Sequence, residues 1–479
     1  MMGRCWRMSA CRRFGVVVVL MVVALLGPAG AGIPDPAIYR WGKLEVPEDY
    51  DRPDGRQIEI YWEKLTSTNP RPQALVLING GPGGTHESFH KYNAQGGLER
   101  DYFHSLRDEF EIYLFDQRGN GQSSRLSFKT LSQVDGRLYG TVNICRDLEE
   151  LRRRVIGQEK IAVLGESYGG MVALSYAIYF PDSVSRLVLH DTSPSFRYFT
   201  NLYQNFSNSL ADLDAREFPG IRQNFRKSLR RFAEGTVTTP GNVTLTPNDF
   251  LSKCLPFTYS FRGLTVLARM VQDIAETGQS KVLNGILAAE VAPRPPARDD
   301  APETGPSPTL LIIQASEMYD PETIAQLEGV PAYDPWNLAW AKEKMFRLRG
   351  EFRREAGLEG VPRYDMLPRL HEVRAPTLII VGACDFVCPP VYARQMQRGI
   401  GNGCQLLVVD QAAHGAFDEQ QDYTVGAIRA FLLPGRHYAD LCPPPRVNGP
   451  AAAKALRHRD VLDAYIEGTR RLQGLLGPR

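Results

Sequence analysis

The sequence predicts an α/β protein: a mostly parallel sheet with helices on both faces, interrupted by an inserted, mainly helical cap. Three observations carry this expectation. Short apolar runs recur at Ala74–Ile78, Ile112–Phe115, Ile161–Leu164, Leu187–Leu189, Leu378–Val381 and Leu406–Val409, with helix-like spacing between several of them. Strands buried on both faces of a parallel sheet read this way. The third of these runs leads through Gly165-Glu166-Ser167-Tyr168-Gly169-Gly170 directly into the helical pattern Met171–Ala177. The rhythm of strand and helix then stops near Ser193-Pro194 and resumes only after about residue 370, as an insertion splitting one sheet would make it do.

Taken in order, the chain opens with Arg4, Arg7, Arg12 and Arg13, an apolar run from Val16 to Leu26, and Gly27-Pro28-Ala29-Gly30-Ala31. This pattern predicts a signal peptide over 1–31. The run is shorter than the roughly 20 residues a spanning helix needs, and an uncleaved anchor is the alternative. The first part of the core, 32–193, starts with a hairpin: Trp41–Val46 and Gln57–Trp62 flank the turn cluster Asp51-Arg52-Pro53-Asp54-Gly55. The insertion, 194–370, holds charged, helix-like stretches such as Leu213–Ala233 and Pro335–Ala356 on either side of a Pro-rich linker, Ala292–Pro308. Thr309-Leu310-Leu311-Ile312-Ile313-Gln314 is its one strand-like run. The second part of the core is 371–435. A C-terminal extension, 436–479, breaks at Cys442-Pro443-Pro444-Pro445 and then predicts a helix from about Ala451 to Leu475.

Composition narrows the class. A chain of 479 residues buries a large core. The leader takes four arginines out of 56 basic residues, leaving 52 against 54 acids and a formal net charge of −2 in place of +2. No basic block remains to suggest nucleic acid or a stable membrane partner. Six cysteines remain: Cys145, Cys254, Cys384, Cys388, Cys404 and Cys442. In an exported protein they are expected to form disulfides, in a pairing the sequence does not select. Zinc at Cys384-x-x-x-Cys388 would need a second close ligand pair, which is missing, so no metal is expected.

The chemistry centres on Ser167. A serine with glycines two residues away on each side, between strand and helix, reads as a nucleophile elbow, exposed on a strained turn. Its hydroxyl needs a base that titrates near neutrality, and that base needs an acid to orient it. The strand ending at Gly382 delivers Asp385, and the strand ending at Val409 delivers His414. Both follow the C-terminal ends of strands, where open α/β sheets place their sites. The chain order Ser167, Asp385, His414 is that of an α/β-hydrolase. His86, His90, His104, His190, His371 and His437 default to surface or hydrogen-bonded roles, and Asp410 and Asp418 are fallback acids. The N–H of Tyr168 and an N–H from Asn79-Gly80-Gly81-Pro82-Gly83-Gly84, with Gly81 preferred, are expected to form the oxyanion hole. Asp116-Gln117-Arg118-Gly119 is expected to brace the site.

These motifs resemble the proline iminopeptidase group of α/β-hydrolases, including secreted tripeptidyl aminopeptidase-like enzymes. The resemblance rests on Gly80-Gly81-Pro82-Gly83-Gly84, Asp116-Gln117-Arg118-Gly119-x-Gly121-x-Ser123, Gly165–Gly170, Gly382-x-x-Asp385 and the His414 loop. It spans roughly 38–193 and 371–435. Asn79 stands where that family usually has histidine. The resemblance implies a helical cap over the site and release of residues from peptides with free N-termini. It also implies cap carboxylates that bind the substrate ammonium, for which Glu317 is the first candidate and Asp320 the second. The expectation is thus an exported serine aminopeptidase working through an acyl-enzyme without cofactor. An esterase cleaving small esters with the same triad is the alternative, and a non-catalytic binding protein on this fold is the more distant one.

Overall fold

In a computed structural model, the chain is described over residues 38–433, apart from 93–97, 102, 130, 196–201, 292–306 and 319–349. Residues 443, 445–455 and 464–465 are described beyond them. The predicted leader lies outside these residues.

The apolar runs form strands: β1 (Tyr39–Pro47), β2 (Gln57–Leu65), β3 (Gln73–Ile78), β6 (Phe110–Phe115), β7 (Ile161–Glu166), β8 (Val184–His190), β9 (Thr377–Gly382) and β10 (Cys404–Val409). The short β4 (His90–Tyr92) and β5 (Leu98–Asp101) pair separately. The main sheet has eight strands in the order β1-β2-β6-β3-β7-β8-β9-β10. The β1–β2 and β2–β6 pairs are antiparallel, and every pair from β6 to β10 is parallel. Side chains alternate between the two faces. Val76, Ile78, Ile161 and Val163 enter one core with α1 (Thr141–Leu151), α2 (Tyr168–Tyr179) and α9 (Pro390–Ile400). Leu75, Leu77, Ala162 and Leu164 enter the other with α11 (Gln421–Leu432).

The insertion leaves after β8 and returns before β9, and those strands are parallel neighbours. Its ends meet at a Ser195–Asp365 bridge, with Met366 N donating to Pro194 O at 2.8 Å. It contains α3 (Leu202–Arg216), α4 (Ile221–Ala233), α5 (Pro247–Cys254), α6 (Phe261–Thr277), α7 (Lys281–Val291) and α8 (Pro308–Ser316). Gly220, at φ 89°, separates α3 from α4 inside the helix-like stretch Leu213–Ala233. The phenylalanine-rich core of this unit, including Phe225, Phe250 and Phe257, is continuous with Cys384, Phe386 and Ala413. The cap therefore packs on the loops that carry Asp385 and His414. After β10 come the short α10 (Ala416–Glu419) and α11, and α12 (Gly449–Ala455) is described in the C-terminal extension, while most of the stretch expected to be helical there lies outside the described residues.

Two expectations are corrected. Thr309–Gln314 is not a strand but the body of α8, started by Ser307, whose Oγ accepts from Leu310 N, and by Pro308 in the first turn. Burial on nearly all sides removes the periodicity that marks a helix. The expected disulfides are also absent among the described residues: Cys145, Cys254, Cys384, Cys388 and Cys404 are free thiols, and Cys442 lies outside them. Cys384 faces the cap core and Cys388 the sheet core, so even this closest pair in sequence points apart. Among the described residues no helix is long and apolar enough to cross a membrane.

Candidate active site

The order of strands reverses around β3: β6 adds on one side of it and β7 on the other. Such a switch point opens a crevice beyond the strand ends. Both the glycine loop after β3 and Ser167 after β7 lie there. Ser167 holds φ 53° and ψ −119°, a strained conformation for a residue with a side chain. Helix and strand approach so closely behind it that a Cβ on Gly169 would stand 2.1 Å from Ile78 O, and one on Gly165 2.2 Å from Gly169 O. The elbow therefore requires glycine at both positions. Ser167 N donates to His190 O at 2.9 Å, and Thr192 Oγ1 donates to Ser167 O at 2.6 Å, which hold the turn in place.

Ser167 Oγ lies 3.1 Å from His414 Nε2, and His414 Nδ1 lies 2.9 Å from Asp385 Oδ2. The other oxygen of Asp385 accepts from Val387 N at 2.7 Å and Cys388 N at 2.9 Å, which fixes the carboxylate. All three side chains are buried. Burial works against a charge on His414, but Asp385, its hydrogen bond and Asp191 outweigh it and raise the imidazole to about 8. The fallback acids are elsewhere: Asp410 pairs with Arg216 and Arg446, while Asp418 lies on α10.

The glycine loop reaches the serine. A Cβ on Gly80 would stand 2.9 Å from Ser167 Cβ, and Gly81 takes φ 117°. Tyr168 begins α2, where the first N–H groups have no partner within the helix. The Asp116–Gly119 segment braces this geometry. Gln117 Nε2 donates to Asn79 O at 3.2 Å, and fully buried Arg118 forms a two-pronged pair with Asp147 at 2.7 and 2.6 Å.

Of the two expected ammonium ligands, Asp320 lies outside the described residues. Glu317, at the end of α8, is buried with its oxygens on Thr141: Oε1 accepts from the backbone N at 2.7 Å and Oε2 from Oγ1 at 2.5 Å. That hydroxyl lies 2.8 Å from Tyr168 Oη. Glu317 thus reaches the residue after the elbow through Thr141, and none of its hydrogen bonds goes to Ser167 or His414. Burial pushes its carboxyl up to about 7 despite the bonds from Thr141.

Asp191 was not singled out by sequence reasoning. It follows β8 at φ 44°, is wholly buried, and accepts from Gly382 N at 2.9 Å, Gly415 N at 2.7 Å and Ala416 N at 3.0 Å. It thereby clamps together the loops carrying Asp385 and His414. Burial and the nearby Asp385 charge hold it well above the ordinary carboxylate range. Its position just past a strand end was the available signal. Glu419 ties the same region to the cap, accepting from Ala413 N at 2.7 Å and from Phe261 N, at the start of α6, at 2.5 Å.

Residues 73–421 match the model of the alpha/beta hydrolase fold family. The chain belongs to that family. As an alpha/beta hydrolase it is similar to the proline iminopeptidase PfmaB of Pestalotiopsis fici, 24% identical over 360 residues that cover 75% of this chain and 91% of the relative. It is 30% identical to a proline iminopeptidase of Saccharolobus solfataricus, over 35% of this chain and 48% of that one. It is 28% identical to the serine protease Hip1 of Mycobacterium tuberculosis, over 31% of this chain and 35% of that protein. Among the relatives it resembles, then, are proline iminopeptidases and a serine protease.

Proposed function

We propose that this alpha/beta hydrolase is an exported serine aminopeptidase that releases N-terminal residues through an acyl-enzyme. The observation that carries the reading is the hydrogen-bonded line Ser167–His414–Asp385 at the switch point of the sheet. In the first step Ser167 Oγ attacks the scissile carbonyl as its proton passes to His414 Nε2, while Asp385 holds the imidazole in the productive tautomer. The tetrahedral oxyanion takes hydrogen bonds from the N–H groups of Tyr168 and Gly81. Collapse breaks the C–N bond, with His414 returning its proton to the leaving amine. Water, activated by His414 in its turn, then frees the acyl product and restores Ser167.

The choice of a peptide substrate rests on the proline iminopeptidase relatives and on the cap packed against the triad loops. Export rests on the sequence pattern of residues 1–31. A panel of peptide anilides with free or acetylated N-termini, run beside short acyl esters, tests the proposal. Rapid cleavage confined to free amines is expected. Equal turnover of blocked and free peptides, or turnover of esters alone, would falsify the aminopeptidase reading. A fluorophosphonate probe should label the wild-type chain and spare Ser167→Ala; failure to label folded wild-type protein removes the serine hydrolase itself.

A further inference from the structure

Outside the triad, the described residues hold one other group of three potential metal ligands, Glu63, His86 and His90. We propose that they form a structural site for a divalent ion of the zinc type, which fastens the segment after the glycine loop to the sheet. The ligand atoms of the three side chains lie within 4.8 Å of one another. His86 Nε2 is 3.6 Å from Glu63 Oε2, and His90 Nε2 is 3.2 Å from Glu63 Oε1. Four ligands at about 2.0–2.1 Å around a tetrahedral centre stand about 3.4 Å from one another. The two histidine–carboxylate separations are therefore close to those of groups sharing one small ion. Two imidazoles and a carboxylate suit zinc, whereas magnesium and calcium favour sets of oxygen ligands. A water molecule would complete the coordination.

The surroundings fit this reading. All three side chains are buried, at 3%, 6% and 8% exposure. The buried Glu63 carboxylate faces only the two imidazoles among the described residues, with His90 Nε2 3.2 Å from Oε1 and 3.4 Å from Oε2, and a buried carboxylate needs a cation to offset the cost of its charge. His86 Nδ1 lies 2.9 Å from Asp116 Oδ1, which also accepts from His86 N at 2.7 Å. With Nδ1 engaged by a carboxylate, Nε2 is turned toward Glu63, the outer-shell arrangement that orients a ligating histidine. The rings of Tyr61, 4.8 Å from His86, and Tyr39, 5.9 Å from His90, wall the site.

Position gives the ion its task. Glu63 lies on β2 opposite Leu114, one residue from the end of β6, and Asp116 directly follows that strand. His86 follows the glycine loop with only Thr85 between, and His90 lies four residues further on. An ion here would join the chain leaving that loop to β2. It would act on stability, and none of its ligands belongs to the Ser167–His414–Asp385 line.

The test uses the full chain, stripped with a chelator and titrated with zinc chloride, with metal content and melting temperature as readouts. We expect the wild type to retain a single zinc after desalting and to melt several degrees higher with it. Glu63→Gln and His90→Gln should lose both responses while circular dichroism reports an intact fold. Asp116→Asn should bind zinc about 10–100-fold more weakly. Cobalt(II) should give tetrahedral visible absorption in the wild type and none in Glu63→Gln. A wild type that holds no stoichiometric zinc overturns the proposal. So does zinc that persists in folded Glu63→Gln and His90→Gln, since it would then be bound elsewhere, as at the triad carboxylates.

Discussion

His414 is bonded to Asp385, and Asp191 lies close enough to add to the same electrostatic pull. Because attack by Ser167 requires the neutral imidazole, raising its titration to about 8 has a definite sign. Below that pH the base is protonated, so kcat/KM should climb as pH rises through about 8 and level off above it. Asp385→Asn should move the midpoint of a pH–rate profile to lower pH, and should also reduce kcat on the order of 10⁴-fold, because the amide no longer holds the productive tautomer. An unchanged midpoint would mean that Asp385 does not set the charge of the base. Ser167→Ala should lower kcat on the order of 10⁶-fold with the fold intact.

At the scale of the element, α8 and the clamp at Asp191 show how backbone ends are put to use. Helix α8 starts because Ser307 Oγ accepts from Leu310 N at 3.0 Å and Pro308 needs no partner in the first turn. Ser307→Ala should cost about 1 kcal/mol in urea denaturation, the usual loss of an N-cap. Asp191 works on several elements at once: its carboxylate takes backbone N–H groups from the end of β9 and the start of α10. Asp191→Ala would leave three buried donors without a partner. At about 1–3 kcal/mol for each unsatisfied group, a loss of about 3 kcal/mol or more is expected. Activity should fall with it, since Asp385 and His414 sit on the loops released. A variant as stable and active as the wild type would show that those loops need no clamp.

At the scale of the whole molecule, Glu317 joins the insertion to the core through Thr141, the first residue of α1. Its carboxyl titrates near 7, above the 4.5 of an unperturbed glutamate. Between those values the folded chain binds more protons at this group than the unfolded chain does. This group therefore makes stability fall as pH rises from about 4.5 to about 7. Glu317→Gln should flatten that part of the stability–pH curve, measured by denaturation from pH 4.5 to 8. A curve as steep as the wild type's would place the titration elsewhere.

How legible each part was follows from how local its cause is. The strands, the elbow and the order Ser167, Asp385, His414 could be read directly, because apolar runs, glycines at a tight turn and chemistry-bearing residues just past strand ends leave marks within a few neighbours. Helix α8 was misread because a helix buried on nearly all sides loses its periodicity, and Thr309–Ile313 suits a strand equally well. The thiols were expected to pair because a count of cysteines says nothing of direction, and only the folded chain turns Cys384 toward the cap and Cys388 toward the sheet. Asp191, Glu419 and the Glu63–His86–His90 group act through partners distant in sequence. By itself, then, the sequence determined the sheet, the turn and which chemistry-bearing residues stand just past the strand ends, since these depend on short-range sterics and burial. Tertiary structure alone decided what holds them together and that Glu317 anchors a helix start, because buried polar groups take their partners from whatever the packed chain brings within hydrogen-bond reach.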